Sequence, residues 1–202
     1  MAMLAENRAK LQLKPGAIST YLNASDIMAP LLPHSGILFP YQPDLTYQQA
    51  VGYSPYDMVH TNYTFNAYRN TPSPTIQLNA QFASVTQEEG AYTLAVIHFL
   101  RSVTKMFSGM NQTSPAPGTP PPVLEFSAFG SQQFNRIPVV ISNFSINFDS
   151  GVDLKLFNGS QQLPVIQNIF IDLFVQQNPD RQKTVFSTSS FIGGQAYKQG
   201  FI

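Results

Sequence analysis

From Thr75 to Ala83 apolar and polar residues alternate without a break. Ile76, Leu78, Ala80 and Phe82 fall on one side of an extended chain, and Thr75, Gln77, Asn79 and Gln81 fall on the other. A period of two predicts a strand with one buried face. Its outer face is polar but uncharged, which suits ordinary solvent or the wall of a water-filled channel; Gln77, Asn79 and Gln81 are the candidate residues for such a face.

The period then changes to that of a helix. Tyr92, Val96, Phe99, Val103 and Met106 recur at four- and three-residue spacing, and Ile97, Leu100 and Phe107 widen the stripe. Thr86 followed by Glu89 forms a capping-box sequence at the start, so the pattern predicts one packed helix over about 86–108, ending at Gly109. At roughly 1.5–3 kcal/mol per buried large side chain, the stripe outweighs the ~1 kcal/mol cost of Gly90 in the helix. Glu88 and Glu89 near the start and Arg101 and Lys105 near the end complement the helix dipole.

Met110 to Pro122 is too rich in proline for helix or central strand and predicts a loop. Apolar runs follow at Val123 to Phe129, Ile137 to Phe148 and Ile166 to Val175, and they predict strands of an antiparallel sheet. Within the middle run Val139 and Ile141 have one parity while Phe144, Ile146 and Phe148 have the other. Such a strand either carries a bulge near Ser142 and Asn143 or is covered on both faces.

Before this region, about residues 1–73, prolines interrupt short aromatic pieces and no period persists. This stretch reads as an irregular, Pro- and aromatic-rich N-terminal arm with short strands. The C-terminal Phe201 and Ile202 are costly to leave in water and are expected to dock. The expected fold is therefore mainly β (α+β), an antiparallel sandwich or barrel with one packed helix, in a single domain spanning 1–202.

Composition narrows the function. Charged residues make up only 11% of the chain and the formal net charge is zero. Neutral polar groups can be covered by hydrogen-bonding neighbours at far less cost than unpaired charges, so self-association is expected. Zero net charge argues against tight nucleic-acid binding, which normally needs a basic excess, although a passive DNA conduit is compatible with it. With no cysteine there is no disulfide, thiolate nucleophile or cysteine-based zinc site. No run approaches the ~20 apolar residues of a membrane helix, and the N-terminus has no apolar leader, so a soluble, unsecreted protein without membrane association is expected.

Candidate chemistry is sparse. His34, His60 and His98 lack metal-ligand spacing. Asp57 with His60 has the separation of an acid/base pair, but in a Pro/Tyr-rich loop such residues more often satisfy local hydrogen bonds. Glu125 with Asp149, Asp153 or Asp172 would form a carboxylate pair only if folding assembled it. No Gly-x-Ser-x-Gly elbow occurs, and Gly193-Gly194 lacks the spacing of a phosphate loop. The expectation is a non-enzymatic protein with no catalytic, metal or cofactor site.

One ordered set of segments adds to this reading. LAVIHFLRSVTKMF at 94–107 leads into GTPPPVLEFSAFG at 118–130. Around these stand HTNY at 60–63, PTIQLNAQF at 74–82, IPVVISNF at 137–144, GVDL at 151–154, VQQNP at 175–179 and a closing GFI. In this order the chain resembles the baseplate tail-tube junction proteins of contractile-tailed bacteriophages, also called tail tube initiators. The segment LKLFNGSQQLPVIQ at 154–167 departs from that pattern.

The resemblance implies a tail-tube type of fold, with copies closing into a ring of six around a DNA-sized channel in the virion tail. It implies a structural virion protein assembled in the host cytoplasm, with the tail tube protein on one axial face and the baseplate hub protein on the other. Such a ring would initiate tube polymerisation, and DNA would be only passing cargo. Ring formation needs two unlike patches meeting head to tail; Arg101, Lys105, Phe201 and Ile202 are the candidate inter-subunit contacts. The alternatives are the major tail tube protein itself and a β-sandwich module for carbohydrate or receptor, the latter drawing on Tyr53, Tyr56, Tyr63 and Tyr68.

Overall fold

A computed structural model describes residues 7–23, 25–108, 117–148, 151–157 and 161–202. The chain opens with β1 (Lys10–Leu13), α1 (Pro15–Tyr21), a 3-10 segment (Asp26–His34) and β2 (Gly36–Leu38). Then come β3 (Asp44–Gln48), β4 (Gly52–Tyr56), β5 (Phe65–Asn70), β6 (Thr75–Ala83) and α2 (Gln87–Val103). The second half runs through β7 (Leu124–Ala128), β8 (Phe134–Asn147), β9 (Leu154–Phe157), β10 (Gln161–Pro164) and β11 (Ile166–Val175). It closes with α3 (Pro179–Thr184), α4 (Thr188–Ile192) and a 3-10 turn (Ala196–Gln199).

Seven strands form one antiparallel sheet in the order β2-β1-β7-β8-β11-β6-β3, while β4-β5 and β9-β10 are separate two-stranded ribbons. The protein is mainly β, as the sequence pattern predicts, but it has a few helices where one was expected: the short α1, α3 and α4 join α2. The alternation of β6 survives intact, with Ile76, Leu78, Ala80 and Phe82 buried and Gln77, Asn79 and Gln81 exposed. In β11 Ile169, Ile171, Leu173 and Val175 face the same core, leaving Phe170 and Phe174 exposed.

Of the expected alternatives, sandwich or barrel, a closed barrel is not formed. Its sheet curls, bringing Phe39, just after β2, to 6.1 Å from Phe82 of β6. Tyr47 of β3 likewise lies 6.3 Å from Phe134 at the start of β8. Yet β2 and β3, at the two ends of the sheet, do not pair. Helix α2 packs beside the gap, and the hydroxyl of Tyr92 occupies the backbone groups of Leu38 that another strand would use.

Helix α2 begins as expected. The Thr86 hydroxyl accepts from the Glu89 amide at 3.2 Å, and the Glu89 carboxylate accepts from the amides of Thr86 and Val85 at 2.9 and 3.0 Å. It ends at Val103 instead of near 108, and the expected end at Gly109 lies outside the described residues. Thr104 Oγ1 donates to the Leu100 carbonyl at 2.8 Å, a local bond that competes with helix continuation. The Phe107 amide then donates to Thr119 and its carbonyl accepts from Gly118, zipping the chain to the returning loop. Met106, placed on the stripe by spacing, is consequently exposed.

The expected N-terminal arm is also corrected. Among residues 7–48, Ala9, Leu11, Leu22, Leu31, Ile37 and Phe39 are fully buried, and β1 lies inside the sheet between β2 and β7. The 3-10 segment carries Pro30 and Pro33 and packs Met28 and Leu31 into the core beside α2. What projects is the later part, β4 and β5. The two open alternatives for β8 are decided in favour of the bulge: Asp172 pairs with Asn143 and Leu173 with Ile141, leaving Ser142 as the extra residue. Ile141, Phe144 and Ile146 thereby all pack against the core.

Candidate self-association surface

Strand β3 is an edge. Asp44 to Gln48 pair with Asn79 to Thr75 of β6 on one side, and among the described residues no strand pairs on the other. An unpaired edge offers amides and carbonyls to another chain unless it is short, bulged, charged or covered. Four residues of β3 are exposed, its only charged residue is Asp44, and it contains no proline. The opposite end of the sheet differs, because Tyr92 closes β2 at Leu38. Burial raises the Tyr92 pKa, with opposing contributions from the Leu38 backbone bond and Arg8.

Immediately after β3 the chain forms the ribbon of β4 and β5. Tyr53 and Tyr68 meet edge to face at 6.1 Å, and Asp57 accepts from the Thr64 hydroxyl at 2.8 Å near the tip. Tyr56, Met58, Val59, Tyr63 and Phe65 are exposed, Tyr63 at 89% and Val59 at 82%. A two-stranded ribbon has no second layer to bury side chains against and is marginal alone in water. So many exposed apolar side chains on one element make it a candidate contact surface.

The outer face of β3, β6, β11 and the later half of β8 is dominated by amides and hydroxyls. Gln77 lies opposite Asp172 and Asn79 opposite Phe170, while Asp172 also lies opposite Asn143. This face carries two carboxylates, Asp44 and Asp172, and no lysine or arginine. The candidate residues Gln77, Asn79 and Gln81 sit together in its middle.

No protein-family model and no curated protein matches the chain.

The other candidate contacts are dispersed. Arg101 and Lys105 are exposed at the C-terminal end of α2. Phe201 is only 4% exposed, packed 5.3 Å from Phe186 with the Arg181 guanidinium over its ring, so within the chain it serves its own fold. Ile202 is partly buried and lines a groove with Tyr47, Phe134, Phe191 and Tyr197. The expected docking of the apolar C-terminus thus takes place within the same chain. Gly200 permits it: its φ is +78°, and a Cβ there would lie 2.8 Å from the Arg136 carbonyl.

Asp57 bonds Thr64, and Glu125 pairs with Arg136 at 2.8 Å; Asp149 lies outside the described residues. Among the described residues no three His, Cys, Asp or Glu side chains are grouped to hold a metal ion. No helix among them is long and apolar enough to cross a membrane. Sequence reasoning missed the open β3 edge and the exposed Phe170 and Phe174. The alternation of Phe170, Asp172 and Phe174 with the buried aliphatics carried the second signal; the first had none, because edge position depends on which strands meet.

Proposed function

We propose that the protein is a structural subunit of a contractile bacteriophage tail, closing with its copies into a ring where the tail tube meets the baseplate hub and starting tube polymerisation there. The reading rests on the resemblance of residues 94–107 and 118–130 and on one structural observation. A fold with an uncovered edge strand also extends an exposed aromatic ribbon, Tyr53 to Tyr68, that has no core of its own. Both are surfaces that gain by meeting other chains. The amide-rich face around Gln77, Asn79 and Gln81, which carries the carboxylates Asp44 and Asp172 and no lysine or arginine, is suited to line the channel, because neutral amides and carboxylates stay hydrated without holding passing DNA. In this role the protein works by presenting a formed ring to the first tube subunits, which then need not order one another unaided.

Electron microscopy of assembled particles carrying a labelled copy tests the reading. The label is expected as one ring at the baseplate end of the tube. Label along the whole tube would indicate a major tail tube protein instead, and its absence from tails would end the proposal. Exposed Tyr53, Tyr56, Tyr63 and Tyr68 favour a second reading, a carbohydrate-binding module. Saturable glycan binding by the isolated protein, lost on replacing those tyrosines, would support it.

A further inference from the structure

We infer that the cleft over β1, β7 and β8 binds a small polyhydroxylated monocarboxylate, a sugar acid, through Lys10, Ser127 and Arg136. It lies on strands outside the tyrosine ribbon, so the site goes beyond both readings above. Lys10 of β1 stands opposite Ser127 of β7. Across the next seam β8 carries a bulge: Phe126 pairs with Ile137 and Ala128 with Phe134, so Ser127 faces both Asn135 and Arg136. The Arg136 amide donates to Ser127 Oγ at 2.9 Å. Three adjacent strands thereby bring an ammonium, a hydroxyl and a guanidinium to the lining of one cleft.

Arg136 is held there in a strained backbone. Its φ is +49°, a left-handed conformation that a long side chain seldom adopts. Bulges re-aim side chains, and strained residues concentrate at binding sites. Arg136 Nε donates to Glu125 at 2.8 Å, which leaves its terminal N-H groups as donors. Lys10 is half-buried, and among the described residues its ammonium makes no hydrogen bond or ion pair.

Size, charge and lining select the ligand. The cleft holds about 420 Å³, within the ~300–1,000 Å³ of small-molecule sites. Glu125 offsets one of the two cations, so a single carboxylate balances the charge that is left, whereas a phosphate dianion overshoots it. Around the charged groups Asn7, Ser131 and Asn135 supply neutral donors and acceptors, the partners that several hydroxyl groups use. Gly130 keeps the wall open: its φ is +92°, and a Cβ would stand 3.2 Å from Asn7 Oδ1.

Titration of the full chain with glucuronate, followed by calorimetry and by the NMR signals of the ligand, tests the site. Saturable binding is expected. Glucose, which lacks the carboxylate, and acetate, which lacks the hydroxyls, should each bind about tenfold more weakly or less. Lys10→Gln removes the ammonium, and Arg136→Asn removes the guanidinium with a residue that tolerates left-handed backbone. Each should weaken glucuronate binding by about tenfold, while replacing the ribbon tyrosines should leave it unchanged. Circular dichroism checks the fold of each variant, and Lys10→Gln alone decides if Arg136→Asn does not fold.

No saturable binding of glucuronate would overturn the site, as would equal binding of glucose or acetate, tighter binding of glucose 6-phosphate, or full affinity in the folded variants. Loss of binding on replacing the tyrosines would move the ligand to the ribbon. None of these outcomes bears on where labelled protein sits in phage tails, so the ring reading stands or falls separately.

Discussion

The hydroxyl of Tyr92 accepts the amide proton of Leu38 and donates to the carbonyl of the same residue, both at 2.8 Å. One side chain of α2 thus occupies two backbone groups on the outer side of β2. It ties the helix to the sheet and stops strand addition at this position, while β3 at the other end of the sheet stays open. The two ends are therefore unlike, a condition that head-to-tail contact needs and a self-complementary dimer does not.

Tyr92→Phe keeps the ring and removes both bonds. The Leu38 amide and carbonyl are left partly buried without their partner, so the fold should lose about 1–3 kcal/mol. Urea denaturation measures the loss, and an unchanged midpoint would show that water replaces the hydroxyl. Hydrogen exchange at the Leu38 amide should accelerate in the same variant.

Glu89 gives a signed pH dependence. The backbone amides of Thr86 and Val85, the Thr86 side chain and Lys155 hold its carboxyl below its ordinary value of 4.5, against a smaller opposing effect of burial. Because the folded pKa is depressed, the carboxylate's contribution is present above the unfolded value and is lost as pH falls through the folded one. The difference in stability between wild type and Glu89→Gln should therefore shrink as pH drops below 4.5. Thr86→Ala should cost about 0.5–2 kcal/mol at neutral pH through loss of the helix cap. Thermal melts from neutral to acid pH test both, and a pH-independent gap for Glu89→Gln would refute the first.

Ser142 is the inserted residue of β8. Ile141 faces Leu173 and Asn143 faces Asp172, so removing Ser142 leaves ordinary alternation on both sides. The deletion gives up the Ser142 hydroxyl bond to the Asp172 carbonyl, yet Phe144 and Ile146 keep facing the core. A folded protein is expected, with a loss on the order of 1 kcal/mol for that bond. Collapse of the near-ultraviolet circular dichroism would instead mean that the bend itself is required.

Tyr56 and Tyr63 separate folding from assembly. Both are exposed on the ribbon, so Tyr56→Ser with Tyr63→Ser should move the monomer's stability by no more than about 0.5 kcal/mol per site. Self-association, read by sedimentation velocity, should weaken. Equal weakening of the fold would show that the ribbon already packs within its own chain.

Where neighbours in the chain carry the signal, sequence and structure agree in detail. The cap at Thr86 and Glu89 needs a reach of three residues, and the strand Thr75–Ala83 needs only alternation. Even the bulge at Ser142 shows as a change of parity. Leu11 carries no comparable signal. It is buried because it pairs with Phe126 on one side and Ile37 on the other, and a four-residue strand beside proline-rich pieces gives no period from which to infer that.

By itself the sequence determined the local elements: the half-buried strand, the capped helix, the break in parity, and a composition poor in charge. These follow from periodicity and short-range hydrogen bonding, which are written in adjacent residues. Only the tertiary structure decided that the first strands lie inside the sheet, that the barrel stays open, and that Tyr92 seals Leu38 while β3 is left free. Such outcomes depend on contacts between residues far apart in the chain, whose loop-closure cost and packing gain are settled only when the whole sheet forms.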